Sequence, residues 1–271
     1  MRDAQQLQVL LPKLARTYRN HIIDMIYWAG AGHAGGSLSA IDLMAYLYEA
    51  DIDLSADDRS RFILSKGHAV AALYAILHHK GVIFAEELRG FRRIDSRLQG
   101  HTDVVTIPET DASSGLLGQG LSIGLGMALG KKLQNSQRNI YVMVGDGELH
   151  QGQIWEGIMG GAHYALDNLH LIIDHNKLTS ASRLSQVMDV EPLAEKIKAF
   201  NWHVEEIDGH DFDMISRCFD RLASIRNRPK CIIAHTVKGK GVSFMEHNKK
   251  WHSATLTEEQ YAIAKKEMAG E

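Results

Sequence analysis

From residue 120 onward, short apolar runs alternate with stretches of helical periodicity, an order that few folds accommodate. The runs "IYVMV" (140–144), "LHLII" (169–173), "WHVEEI" (202–207) and "KCIIAHTV" (230–237) read as strands. Between them "QIWEGIMGGAHYAL" (153–166), "LAEKIKAF" (193–200) and "FDMISRCFDRLASI" (212–225) read as single helices, with "LSIGLGMALGKKL" (121–133) as another ahead of the first run. Strands separated by single helices pair in parallel through right-handed crossovers. The expected fold class is α/β: three layers, a mainly parallel sheet with helices on both faces.

The first half is more irregular. Leu7, Leu10, Leu14, Tyr18, Ile22, Met25 and Ile26 recur at helical spacing and predict a helix over 5–29. The glycines of "AGAGHAGGSLS" (29–39) are expected to stop it, with Ser39 capping a second helix over 40–50. "RFILS" (61–65) reads as a strand, Lys66-Gly67 as a turn and 68–79 as a helix. The stretch 90–120 has little periodicity and much Gly, Ser and Thr, the mark of a functional loop. "KGKGVSFMEHNKKWHSA" (238–254) is a second such loop, followed by a charged helix. The expectation is one domain over 1–271, with a helical segment at about 1–60 and a loop–helix at about 236–271.

Charge and composition exclude several functions. Thirty basic against thirty-three acidic residues leave a net charge of -3, which offers no basic surface to nucleic acid or an anionic membrane. Among the fifteen histidines there is no HEXXH, and no His/Cys cluster has zinc spacing. Cys218 and Cys231 form no metal-ligand pair and suit a reducing compartment. The N-terminus lacks the apolar core of a signal peptide and no apolar run could span a bilayer, so a cytoplasmic location is expected.

Two neighbouring strands end alike. "IYVMV" runs into Gly145-Asp146-Gly147, and "LHLII" into Asp174-His175-Asn176. In open parallel sheets the ligand site lies beyond the carboxyl ends of the strands. A carboxylate, an amide oxygen and backbone carbonyls there suit a hard divalent cation, and Mg²⁺ commonly bridges such groups to phosphate oxygens. Gly145 and Gly147 let phosphate approach the backbone, and a helix starting near Gly152 offers its positive end. Either Asp146 or Asn176 alone would read as a turn residue. Together, one βαβ unit apart, they point to Mg²⁺ and a diphosphate.

At these residues a family resemblance emerges. GDG, about thirty residues, then Asn resembles the thiamine diphosphate fingerprint. "GHAGGSLS" (32–39), "SKGHA" (65–69), "GHTD" (100–103), "SGLLGQGLSIGLGMA" (114–128) and "TVKGKGVSF" (236–244) look like transketolase, in family order. The resemblance implies thiamine diphosphate with Mg²⁺ (Ca²⁺ or Mn²⁺ as substitutes) and transfer of a two-carbon ketol unit from a ketose to an aldose. It implies Asp146, Asn176 and the Leu178 carbonyl as metal ligands. His68, Gly147 and His252 would hold the diphosphate and its surroundings, and Gly115 and Leu117 would meet the aminopyrimidine ring. His33, His101 and His252 would be the catalytic histidines, binding sugar hydroxyls and moving protons, which a group of ordinary pKa near 6.5 suits.

The chain also departs from the family. Ala34 and Thr102 stand where proline is common, so two histidine loops are expected to be looser. Gln151 replaces a glutamate of the network that links paired active sites around the cofactor, while Glu156 of that network is retained. Family members continue into a second, pyrimidine-binding domain, and this sequence ends at Glu271. The expectation is therefore the N-terminal subunit of a split transketolase. It would form a heterotetramer with a C-terminal partner subunit and act on a sugar, most simply a phosphorylated ketose. Two alternatives stay open at this point. One is a subunit of another thiamine diphosphate enzyme, of deoxyxylulose-phosphate synthase or 2-oxo acid dehydrogenase type. The other is a non-catalytic cofactor-binding regulatory subunit.

Overall fold

A computed structural model describes residues 4–270. In chain order the elements are α1 (Ala4–Ala29), α2 (Ala34–Ala50), β1 (Arg61–Leu64), α3 (Val70–His79), α4 (Ala85–Leu88), α5 (Gln119–Leu133) and β2 (Ile140–Gly145). They continue with α6 (Gly152–His163), β3 (Leu169–His175), α7 (Leu184–Val187), α8 (Leu193–Ala199), β4 (His203–Asp208), α9 (Phe212–Leu222), β5 (Lys230–His235) and α10 (Glu258–Ala269).

The strands form one five-stranded sheet in the order β1-β2-β3-β5-β4. Every neighbouring pair is parallel. Alternation along each strand sorts side chains between two apolar layers. Phe62, Leu64, Tyr141, Met143, Ile172 and Ile232 face the core shared with α1, α2, α3 and α9. Ile63, Val142, Val144, Leu171, Ile173 and Ile233 face the core shared with α5, α6 and α8. The three-layer α/β architecture expected from strand–helix alternation is the one observed. Among the described residues no helix is long and apolar enough to cross a membrane.

The register brings the strand ends level, since Gly145 pairs with Asp174 and His175 with His235. The segments after β1, β2, β3 and β5 therefore leave the sheet at one edge, and this edge carries the candidate site.

The second helix corrects the sequence expectation. It starts at Ala34, and Ser39 lies inside it rather than at its cap. Tight packing overrides the low helix propensity of the glycines. A Cβ on Gly35 would lie 2.7 Å from both the Lys238 side chain and the Trp251 carbonyl oxygen. The Ser39 hydroxyl donates instead to the Gly36 carbonyl and to Asp174. The short helices α4 and α7 were not anticipated, and other boundaries move by up to three residues, the usual uncertainty at element ends.

Candidate active site

A cleft of about 400 Å³ opens at this edge of the sheet. Its floor carries two buried carboxylates, Asp146 and Glu148, and a third, Asp174, sits beneath it and holds the lining residues Lys66 and Asn176.

Asp146 follows β2 and is 2% exposed. Its carboxylate accepts N–H groups from Gly147 at 2.7 Å and Lys177 at 2.5 Å. Burial lifts its pKa to about 6, the Asp174 charge adds to the rise, and the two N–H bonds oppose it. The Lys238 charge also acts to lower it, without offsetting the burial. Asn176 stands on the adjoining strand end, its Oδ1 accepting the Leu178 N–H at 3.2 Å. The Leu178 carbonyl accepts from the Lys238 ammonium at 2.7 Å. The three expected metal ligands thus line one cleft. Among the described residues no group of three His, Cys, Asp or Glu could hold a metal. One carboxylate, one amide oxygen and one carbonyl form an all-oxygen set that fits Mg²⁺.

Asp174, at the end of β3, is fully buried. It pairs with Lys66 and accepts from Ser39 at 2.6 Å, from Thr236, and from the Asn176 amide at 3.3 Å. Burial acts to raise its pKa, but the Lys66 charge and the hydrogen bonds from Lys66, Ser39 and Thr236 outweigh that and leave it below the ordinary carboxylate value. By holding the Asn176 NH₂ group, Asp174 fixes which end of that amide is the oxygen.

Glu148 is 2% exposed and accepts from Ser65, Gly118 and Gly145. Burial raises its pKa, against the pull of those three donors.

Above this floor lie the histidines. The rings of His33 and His68 are 5.1 Å apart, those of His33 and His252 5.4 Å, and those of His68 and His252 5.1 Å. His101 stands against Gly115, where a Cβ would approach its ring to 3.3 Å. Burial, with Arg92, His101 and two lysines, holds His33 at a pKa of about 4. Burial and the Lys238 charge do the same for His252. His68 is held well below 6.5 and His101 is lowered, in both cases chiefly by burial. At neutral pH these are neutral imidazoles, each with one donor and one acceptor nitrogen.

Gly147, Leu117 and Gly115 line the same cleft. Gln151 and Glu156 do not, and both are exposed at the start of α6. Gln151 backs the loop before α5, its Cβ close to Gly118. Thr102 is buried, and its hydroxyl is 2.6 Å from that of Ser114. The loop bearing His101 is therefore clasped to the loop bearing Gly115, where a looser arrangement was expected.

Sequence reasoning missed Lys66, Glu148, Asp174 and Lys238. Signals existed for two of them: Glu148 stands three residues after Gly145, at capping-box spacing, and Asp174 is a charge closing an otherwise apolar run. Lys66 is 2% exposed and Lys238 3%. Burial lowers Lys238 to about 8, with Lys66 adding and Asp146 and Asp174 opposing. Both ammonium groups line the cleft, Lys66 already paired with Asp174.

The family model for the transketolase thiamine diphosphate binding domain matches residues 12–271. The chain belongs to the transketolase family. It is 39% identical over 256 residues to an apulose-4-phosphate transketolase subunit of Phocaeicola vulgatus, covering 93% of this chain and 91% of that protein. It is 36% identical over 269 residues to the 6-deoxy-6-sulfo-D-fructose transketolase subunit SqwG of a Clostridium species, covering 97% and 98%. Among solved structures it superposes on the transketolase of Campylobacter jejuni with a TM-score of 0.89 at 31% identity, covering 96% of this chain and 42% of that one. The chain thus matches these two transketolase subunits over nearly their whole length, and spans about two fifths of the solved transketolase.

Proposed function

We propose that this chain is the diphosphate-binding subunit of a transketolase that moves a two-carbon ketol unit from a ketose to an aldose. The observation that carries this is the single cleft in which an oxygen ligand set, two buried ammonium groups and four neutral histidines converge. Asp146, Asn176 and the Leu178 carbonyl would hold Mg²⁺. His68, Gly147, His252, Lys66 and Lys238 would receive the diphosphate, and Gly115 and Leu117 the ring system. Bound thiamine diphosphate supplies the electron sink for breaking a ketose carbon–carbon bond.

The chain's own work is positioning and proton transfer. A donor hydroxyl must lose a proton as the bond breaks, and an acceptor carbonyl oxygen must gain one as the new bond forms. His33, His101 and His252 are neutral, so each can take a proton on one nitrogen while donating a hydrogen bond from the other. The rings of His33 and His252 touch edge to face at 5.4 Å, so a polyol chain would lie along them rather than between them.

The partner is a pyrimidine-binding subunit, in a closed assembly of two copies of each chain. Support comes from the relatives that are named as transketolase subunits and have this chain's length. Leu116, in the loop beside the cleft, is 76% exposed and available to a covering chain. Gln151 and Glu156 lie on the exposed face beyond it. The organisation is a single domain in the cytoplasm. The donor is a ketose with an anionic tail, phosphate or sulfonate, as the names of the two relatives suggest.

The test is an assay of ketol transfer with Mg²⁺ and thiamine diphosphate, using the chain alone and then with the partner added. Activity only in the mixture is expected. Full activity from the isolated chain would overturn the partner reading, and none from the mixture with any phosphorylated or sulfonated ketose would overturn the enzyme reading.

A further inference from the structure

Three segments of the cleft have to stay in register: Ser65–His68 after β1, Gly115–Gly118 before α5, and Gly145–Gly147 after β2. They come from distant parts of the chain, and one carboxylate touches all three. Glu148 Oε1 accepts the Ser65 hydroxyl at 2.5 Å and the Gly118 N–H at 2.8 Å, while Oε2 accepts the Gly145 N–H at 3.1 Å. Ser65 Oγ also accepts the Gly120 N–H at 3.2 Å, which extends the tie into the first turn of α5. Gly118 has a left-handed backbone, φ +92°, and packs against Gln151, so its N–H has little freedom to aim elsewhere.

We infer that Glu148 is a positioning residue for the cofactor: it holds the phosphate-side, ring-side and metal-side loops at the separation that Mg²⁺ and thiamine diphosphate require. The inference rests on the reading of the cleft given above. Among the described residues no basic side chain donates to Glu148, its three donors being one hydroxyl and two backbone N–H groups. The nearby Lys66 pairs with Asp174 instead. Loss of the Glu148 charge therefore strands no buried cation, and Glu148→Gln is a mild change for the fold. An amide keeps one acceptor oxygen for Ser65 and Gly118 but turns an NH₂ towards the Gly145 N–H, where two donors oppose each other. The metal-side loop is the one set free.

The experiment measures the dissociation constant of thiamine diphosphate at saturating Mg²⁺ by titration calorimetry, together with kcat, in the assembled complex. It compares wild type, Glu148→Gln, Ser65→Ala and the double variant. Glu148→Gln is expected to weaken cofactor binding about tenfold or more and Ser65→Ala by a smaller factor. The double variant should bind more weakly than either single variant, because the amide keeps the Ser65 contact that Ser65→Ala removes. At saturating cofactor, kcat should recover to within about threefold of wild type, which a damaged fold would not allow. Unchanged affinity in Ser65→Ala or in Glu148→Gln would overturn the inference. Ser65→Ala keeps the test decisive even if Glu148→Gln fails to assemble. A wild-type complex that binds no cofactor would count against the functional reading itself.

Discussion

Lys66 and Asp174 form an ion pair with almost no solvent contact, joining the loop after β1 to the last residues of β3 beneath the cleft. Two charges taken this far from water are tolerated because each is compensated. Asp174 has further donors in Ser39, Thr236 and Asn176, and the Lys66 ammonium also donates to the Gly36 carbonyl at 3.1 Å. The pair therefore sets where Asn176 and His68 begin.

Breaking the pair should cost more than any surface change nearby. Lys66→Met leaves Asp174 buried with no opposite charge, a defect worth about 3–5 kcal/mol. Urea denaturation of the isolated chain measures this directly. A loss below about 1 kcal/mol would mean the pair is hydrated in solution.

Asp146→Ala is expected to abolish binding of thiamine diphosphate in the assembled complex, because the diphosphate would lose the cation bridging it to the protein. The fold should gain slightly, since a carboxyl raised to about 6 by burial is removed. Calorimetry and a melting curve on the same preparation read both effects. Wild-type affinity in this variant would show that the metal sits elsewhere.

His33→Ala and His101→Ala should each lower turnover about a hundredfold or more, the scale of a lost acid–base group. Neither donates a side-chain bond that supports the sheet, so melting temperatures should barely move. A variant that loses stability in proportion to activity would mark that histidine as structural.

His170 provides a pH signature away from the cleft. It is 3% exposed between Tyr141 and Phe219, and burial, with Lys230 adding, holds its pKa well below 6.5. In the unfolded chain the same imidazole takes a proton near pH 6.5. Its contribution is complete above that pH and is lost as the pH falls, by about 1.4 kcal/mol at pH 5.5. His170→Gln removes this term, so its stability gap from wild type should narrow by that amount between pH 7.5 and 5.5. A gap that ignores pH would mean that His170 protonates in the folded chain.

Much of this could be read from residue order. Strand–helix alternation is a local pattern with a global consequence, so the sheet and the strand-end positions of Asp146 and Asn176 were recoverable. Charges were passed over where burial depends on the tertiary fold. Lys66 and Lys238 sit among small polar residues that suggest solvated turns, yet both are covered. Ala34–Ser39 misled for the opposite reason: "AGGSLS" looks like a helix breaker, and only the closeness of Lys238 and Trp251 explains why small residues wind there.

The loop at 115–118 carries a further consequence, for how such a protein can diversify. Gly115 has φ +146° with the His101 ring close by, and Gly118 has φ +92° against Gln151. Neither position accepts a side chain without strain, so this loop can vary its chemistry only at Leu116 and Leu117. New sugar preferences, in nature or in the laboratory, should therefore arise at residues other than these two glycines.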